Sequence, residues 1–528
     1  MHRILIADPL DASGLDILRA SGAEVHELGK DERPRLHELI AGFDALVVRS
    51  MTQVDRALLA AGRNLKVVGR AGIGVDNVDV AAATELGILV VNAPTANVTS
   101  ATEHMFALLL ALARRVPAAD ASLKGGTWDR KSFLGIELQG KTLGVVGFGR
   151  IGQRVAARAR GFEMHIVAYD PFLEPAVVRR CDAESLPLDD LLARADVVTL
   201  HTPFTPETAG MLDARRIGLM KRGAILVNCA RGGLVDEAAL FVALEEGRLE
   251  GAALDVFAEE PPKDFALVRH PRVVATPHLG AQTREAQERI STETAHMLLA
   301  ALAGSLEVTA VNLPFGAAGT RGQQPYLALA EDLGRLASLL LGGSVSRVHL
   351  DLWGIDDALR RPLGVAVLKG TLTPFLGEGV NYVNAEVVAQ GRAIEMVQSV
   401  HTQPSEYAHL VQVEVQGESG KVCIAGTLFA ERDPRVVRFE DFRLEFRPAG
   451  KLLVLRNRDV PGVVGKLGSI LGEGGVNIAE IHLARRDGDP DAMAVMRLDQ
   501  APSPATLERL RALPEVKQVR LADLGARG

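Results

Sequence analysis

The chain has 528 residues, 47% of them hydrophobic and 24% charged, with a formal net charge of -7 at pH 7. That length exceeds what one core serves and predicts three or four domains, and the apolar content excludes a disordered chain. The acidic balance excludes a basic footprint for nucleic acid or anionic lipid, and no apolar run approaches the ~18 residues of a membrane span.

The opening residues, MHRILIADPLD, carry no signal-peptide apolar core and begin on a strand. Cys181, Cys229 and Cys423 are widely scattered, as reduced thiols are, so a cytoplasmic protein is expected. Short apolar strands at 3–8, 23–28, 44–50, 66–72 and 88–93 alternate with helical patterns at 13–21 and 33–41. This alternation predicts a parallel, doubly wound sheet. Such sheets bind ligands beyond the carboxyl ends of their strands, where Arg49, Arg70 and the glycines of 70–76 fall. An arginine there suits an anionic substrate, although either residue alone reads equally well as a surface ion-pair partner. Residues 97–115 form a strongly apolar crossover helix, which Asn97, Thr99 or Ser100 could cap, with Glu103 completing a capping box after Ser100. Its N-terminus could hold a substrate carboxylate or phosphate, which makes Asn97 a candidate.

The organising stretch is 141–171. An apolar strand leads into Gly147-Phe148-Gly149-Arg150-Ile151-Gly152, a helix at 153–160, a second strand at 165–169 and then Asp170. In this G-x-G-x-x-G spacing Gly147 makes the tight turn, Gly149 lets backbone approach a pyrophosphate and Gly152 lets helix pack on strand. The phosphates meet the free N–H groups at the helix start. Asp170, ~20 residues downstream, accepts both ribose hydroxyls and repels a 2′-phosphate, so NAD is expected rather than NADP. Further strands at 196–201, 224–230, 251–257 and 272–278 complete the six of a dinucleotide sheet. Each ends in a polar cluster on the cofactor edge. A helix at about 283–302 then returns to the first unit, so one domain is inserted into another with a cleft between them.

Arg231, Glu260 and His278 end three separate strands on that edge. Hydride exchange with a 2-keto acid needs a cation for the carboxylate and ketone, a proton donor beside the carbonyl oxygen, and a group that keeps the donor charged. Arg231 suits the first through its planar fork, and His278 the second because imidazole titrates near neutrality. Glu260 suits the third, fixing the tautomer and favouring the charged form. Asp255 is read as an acceptor for the nicotinamide carboxamide. No cluster has metal-ligand spacing, so no metal is expected.

From 313 the style changes. A Gly/Pro-rich connector at 314–325 precedes a helix at 327–341. Strands at 345–351, 410–415, 421–428 and 435–439, with a helix at 382–390, make an α+β unit. The tail, 451–528, reads strand, helix, strand, strand, helix, strand, the βαββαβ order of a ferredoxin-like unit.

With VVRS at 47–50, GRAGIGVDNVD at 69–79, GFGRIG at 147–152, NCARGGLVDE at 228–237, ALDVFAEEPP at 253–262 and TPHLGAQT at 276–283, the chain resembles the D-2-hydroxyacid dehydrogenase family over about 1–312. The resemblance implies a substrate domain (1–97 plus 284–312) and a Rossmann NAD domain (98–283). It also implies an intervening domain (313–450) and an ACT domain (451–528), as in the family's long-form members. It implies Arg231, Glu260 and His278 as active-site residues, and NAD contacts at Arg150, Ile151, Asp170, Thr202, Cys229, Ala230, Arg231, Asp255, Gly280 and Ala281. In the long form the expected reaction is NAD-linked oxidation of 3-phospho-D-glycerate, with Arg49 and Arg70 on the phosphate. The expected effector is L-serine, at Asp459 and Asn477, with Asn457 departing from a tyrosine found in a related long form. A homodimer or homotetramer is implied. The alternatives are a dehydrogenase for another small 2-hydroxy acid, such as glycerate or 2-hydroxyglutarate, and a non-catalytic NAD-sensing corepressor on the same scaffold.

Overall fold

Short runs rich in branched apolar residues make β1 (Arg3–Ile6), β3 (Ala45–Val48), β4 (Val67–Arg70) and β5 (Leu89–Asn92) of the first sheet, and the polar strand β2 (Glu24–Glu27) forms its edge. They pair in parallel in the order β2-β1-β3-β4-β5, in a computed structural model that describes residues 1–316, 322–403, 405–486 and 488–525. The order reverses between β1 and β3, and the loops leaving both strands are tied together there. Asp8 accepts hydrogen bonds from the Arg49 amide (2.7 Å) and the Thr52 hydroxyl (2.7 Å). The expected helix at 33–41 is broken instead into a 3-10 turn Arg33–Arg35, an α-helix Leu36–Leu39 and a second 3-10 turn Ile40–Gly42. Arg33, in the first of these turns, donates to the Ala7 carbonyl and Asp8.

The second sheet comprises β6 (Thr142–Val146), β7 (His165–Tyr169), β8 (Glu184–Ser185), β9 (Val197–Leu200), β10 (Ala224–Asn228), β11 (Leu249–Leu254) and β12 (Val273–Ala275). All are parallel, in the order β12-β11-β10-β9-β6-β7-β8. The two-residue edge strand β8 is additional to the six expected. The order reverses between β6 and β9, the position where such sheets bind ligands.

Helix Val98–Ala113 lies against this sheet and helix Arg150–Ala159. Its expected caps do not form. Asn97 occupies the N-cap position without a side-chain cap, Ser100 Oγ donates to the Asn97 carbonyl, and Glu103 points to Arg158 at 3.7 Å. Helix Arg284–Leu302, capped by Thr283, returns to β4, β5 and helix Ala12–Ala20 of the first unit.

The third sheet runs β14-β13-β15-β16-β17-β18, from β13 (Arg347–Trp353), β14 (Glu395–His401), β15 (Leu410–Gly417), β16 (Gly420–Phe429), β17 (Asp433–Phe439) and β18 (Phe442–Phe446). β13 and β14 are parallel and the others antiparallel. Helices Gln324–Leu341 and Arg360–Leu376 pack on each other, the first of them also on β15 and β16. Positions 317–321 of the expected connector lie outside the described residues. The fourth sheet, β19 (Lys451–Arg458), β20 (Ile478–Arg485), β21 (Asp491–Leu498) and β22 (Val516–Asp523), is antiparallel in the order β20-β21-β19-β22. With helices Val463–Glu473 and Pro504–Arg511 it gives the expected βαββαβ order.

One apolar core runs from Ile4 and Val47 through Leu333 and Leu350 to Val454 and Val495, joining the first, third and fourth sheets. The second sheet has two cores of its own, around Leu226 on one face and Val145 on the other. Among the described residues no helix is long and apolar enough to cross a membrane.

Candidate active site

The glycine loop begins where β6 ends. Gly147 has φ 89°, and a Cβ there would lie 2.6 Å from the His201 carbonyl oxygen. At Gly152 a Cβ would lie 2.2 Å from the Gly147 carbonyl oxygen, so helix and strand are in backbone contact. A Cβ on Gly149 would meet nothing within 4 Å. No side chain caps helix Arg150–Ala159, so its first amides are free to meet an anion on that open side. Asp170 leaves β7 beside the loop, accepting from the Phe148 amide (2.9 Å) and the Phe172 amide (3.0 Å). Ile151 packs inward, Arg150 Nη1 reaches the Pro94 carbonyl at 3.5 Å, and Thr202 follows β9. An open glycine at an uncapped helix start, with an oriented carboxylate alongside, fits a dinucleotide pyrophosphate and ribose.

At the end of β10 the Asn228 side chain holds the next turn. Its Nδ2 donates to the Arg231 carbonyl (2.9 Å) and its Oδ1 accepts from the Ala230 amide (3.1 Å). Burial pushes the Cys229 thiol up, so it stays protonated at neutral pH. Arg231 Nη1 donates to the Ala230 carbonyl (2.7 Å), and Nε donates to Asp76 of the first unit (2.9 Å).

Asp255 follows β11 and is 1% exposed. Its Oδ1 accepts from Thr276 Oγ1 (2.6 Å), the Leu279 amide (2.7 Å) and His104 Nε2 (3.1 Å), while Oδ2 accepts from the Gly280 amide (2.8 Å). Burial acts to raise this carboxyl, but the bonds from His104, Thr276 and Leu279 outweigh it and hold it below the usual carboxylate range. Where the sequence suggests a carboxamide acceptor, the structure also gives Asp255 the task of fastening the loop that carries His278, Gly280 and Ala281.

His278 sits in that loop with φ 56°, a left-handed conformation uncommon for a side-chain-bearing residue. Its amide donates to the Asp255 carbonyl (2.9 Å). Its Nδ1 lies 2.6 Å from Glu260 Oε2, and Glu260 Oε1 accepts from the Phe257 amide (3.1 Å). Burial works to raise the Glu260 carboxyl, yet the His278 bond and the Phe257 amide keep it below the ordinary range, so it is ionised at neutral pH. An ionised carboxylate can only accept, so it favours a proton on Nδ1 and leaves Nε2 with the free lone pair of the neutral ring. His278, Glu260 and Arg231 thus follow three adjacent strands, β12, β11 and β10, at one end of the sheet.

Across from them, Arg70 ends β4 and Arg49 follows β3. The Arg70 guanidinium is pushed down to about 10 by burial first, then by its like-charged neighbours Arg231 and Arg49, with Asp76 opposing. Arg70 Nε is buried without a partner among the described residues, and so is Asn97 Oδ1. In the fourth sheet's unit Asp459 pairs with Arg485 (3.1 Å) and Asn477 Nδ2 donates to Asp499 (2.6 Å), so each candidate effector residue has its own neighbour. Among the described residues no group of His, Cys, Asp and Glu could hold a metal ion.

Two residues of the site are not singled out by the sequence. His104 looks like one more polar side chain in the first turns of an apolar helix, and Asp76 is hidden inside the motif at 69–79. The signal for His104 is a titratable side chain followed along its helix by Met105, Phe106, Leu108 and Leu109, all buried.

Comparison with known proteins bears on the same residues. Residues 106–280 match the NAD binding domain of D-isomer specific 2-hydroxyacid dehydrogenases, 323–440 the D-3-phosphoglycerate dehydrogenase intervening domain, and 451–515 the ACT domain. The chain is 42% identical to D-3-phosphoglycerate dehydrogenase of Methanocaldococcus jannaschii over 531 residues, which is 99% of this chain and 100% of that one. The chain belongs to the D-3-phosphoglycerate dehydrogenase family. Other members of the family include the Bacillus subtilis protein, 38% identical over 99% of this chain and 100% of that one. The Mycobacterium tuberculosis H37Rv protein is 43% identical over 94% of each. Among solved structures, D-lactate dehydrogenase of Aquifex aeolicus, complexed with NAD and lactic acid, matches at TM-score 0.52 and 30% identity over 58% of this chain and 96% of that one. NAD-dependent formate dehydrogenase of Staphylococcus aureus, in complex with NAD, matches at TM-score 0.52 and 31% identity over 57% and 96%.

Proposed function

We propose that the chain oxidises 3-phospho-D-glycerate to 3-phosphooxypyruvate with NAD, the step that opens L-serine synthesis. The observation that carries the chemistry is the 2.6 Å bond between His278 Nδ1 and Glu260, which leaves Nε2 as the proton acceptor. NAD, when bound, takes up the hydride from C2. His278 Nε2 accepts the proton of the C2 hydroxyl, and Glu260 stabilises the imidazolium that results. Arg231 grips the substrate carboxylate and polarises the forming ketone; Arg49 and Arg70, with Asn97 at the helix start, receive the phosphate. Gly147, Gly149, Arg150, Ile151 and Gly152 cradle the pyrophosphate and Asp170 the ribose. Thr202, Cys229, Ala230, Asp255, Gly280 and Ala281 line the remainder of the cofactor groove.

The division into 1–97 with 284–312, 98–283, 313–450 and 451–528 assigns catalysis to the first two parts. The ACT part binds an amino acid, with L-serine as the proposed effector at Asp459 and Asn477, in a homodimer or homotetramer. The lone cysteines and the substrate's metabolic setting support a cytoplasmic enzyme.

NADH formation with 3-phospho-D-glycerate, D-glycerate and D-2-hydroxyglutarate in parallel tests the reading. Turnover fastest with the phosphorylated acid supports it. Preference for another acid moves the chain to a different dehydrogenase activity, and no turnover with any of them makes it an NAD-binding sensor. His278→Ala should abolish turnover and keep NAD binding.

A further inference from the structure

Every nitrogen of the Arg231 guanidinium already has a neighbour. Nε donates to Asp76 Oδ2 at 2.9 Å and Nη1 donates to the Ala230 carbonyl at 2.7 Å. Nη2 lies against Gly74, where a Cβ would come within 1.8 Å of it. A planar fork grips a carboxylate through two adjacent N–H groups. With Nε on Asp76, the side of the fork formed by Nε and Nη2 is closed to a second carboxylate until that bond is given up. The bond that can be exchanged like for like is the one to Asp76.

Asp76 also has somewhere to go. Arg70 ends β4 at the start of the loop that carries Asp76, and its buried Nε has no partner among the described residues. The other nearby acid, Asp8, is already held by Arg33, the Arg49 amide and the Thr52 amide and hydroxyl. The loop itself does not lean on the Asp76 side chain. Asn77 Nδ2 donates to the Arg49 and Thr52 carbonyls, both at 2.6 Å, and the Val78 amide donates to the Val75 carbonyl at 2.9 Å.

We propose that Asp76 is a counter-ion that occupies Arg231 in competition with the carboxylate of the 2-hydroxy acid, and that substrate binding exchanges one carboxylate for the other while Asp76 turns to Arg70. Asp76 is then a positioning residue that sets how tightly, and how selectively, the Arg49–Arg70–Arg231 group takes anions. The inference rests on the dehydrogenase reading above for the identity of the incoming carboxylate. Asp76 is half exposed (56%) and Arg231 27% exposed, so the competing pair is of modest strength and its removal should change anion affinity by about five-fold.

The test uses the full chain with Asp76→Asn and Asp76→Glu, oxalate as a carboxylate probe titrated by calorimetry, and steady-state rates with 3-phospho-D-glycerate at saturating NAD. Asp76→Asn should bind oxalate about five-fold more tightly than the parent and lower KM by a similar factor without raising kcat. Asp76→Glu, which keeps the competing charge, should stay near the parent in both. Oxalate affinity in Asp76→Asn equal to or weaker than the parent overturns the proposal. A parent enzyme that fails to turn over 3-phospho-D-glycerate bears on the substrate reading alone, because the oxalate titration still decides the role of Asp76.

Discussion

His104 Nε2 donates to Asp255 across 151 positions of sequence, at 3.1 Å, and also lies 3.0 Å from Thr276 Oγ1. Through Asp255 it is joined to the Leu279 and Gly280 amides, so a helix with no direct part in the chemistry holds the loop that presents His278. His104→Ala should cost about 1.5–3 kcal/mol, the range for a hydrogen bond to a charged group. Denaturant unfolding measures this, and kcat should fall with it because the loop is loosened, while turnover persists.

The same carboxylate gives stability a pH dependence. Asp255 is held below its ordinary value of 3.8 by His104, Thr276 and Leu279, against the opposing effect of burial. Its contribution is therefore fully present above about 3.8 and lost as pH falls through the lower folded value. Asp255→Asn should be less stable than the parent at neutral pH, and the gap should close on acidification below about 4, as followed by unfolding at stepped pH.

Glu260→Gln keeps the shape beside His278 and removes the charge. Turnover should fall by about 10²-fold or more, as expected when a general base loses the group that orients it and stabilises its cation. Affinity for NAD, measured by fluorescence titration, should change little because the glycine loop is separate. Since the Glu260 carboxyl lies below its ordinary 4.5, its charge is present throughout neutral pH and is lost only as pH falls below that value.

Asp170→Ala should raise the KM for NAD about ten-fold or more, the loss of charge-assisted bonds to ribose, and let NADP serve as a cofactor. Comparing kcat/KM for the two dinucleotides in parent and variant measures it. An unchanged preference for NAD would remove Asp170 from the ribose site.

The parts of the fold legible in the sequence are those whose signals are local. β6, the three glycines and Asp170 are read together because the turn, the helix start and the strand end fall within about thirty residues. The βαββαβ tail is read because each of its strands keeps a clear apolar pattern next to turn residues. Helix Arg360–Leu376 is missed because it is buried all round, from Pro362 through Leu368, so no polar face marks a helical period. The helix expected at 33–41 is instead three short turns, the first of them held where Arg33 reaches Ala7 and Asp8.

By itself the chain's order of residues determined that two parallel sheets come first, that the second binds a dinucleotide, and that Arg231, Glu260 and His278 follow three separate strands of it. Strand alternation, turn chemistry and helix starts are short-range physics, and they are written in the residues side by side. Only the tertiary structure decided that Glu260 meets Nδ1 of His278, that His104 fastens Asp255, and that Asp76 reaches over to Arg231. Those contacts join positions from 18 to 155 residues apart. They exist because packed sheets and helices have already brought distant polar groups together, where a hydrogen bond no longer carries the entropy cost of closing the chain between them.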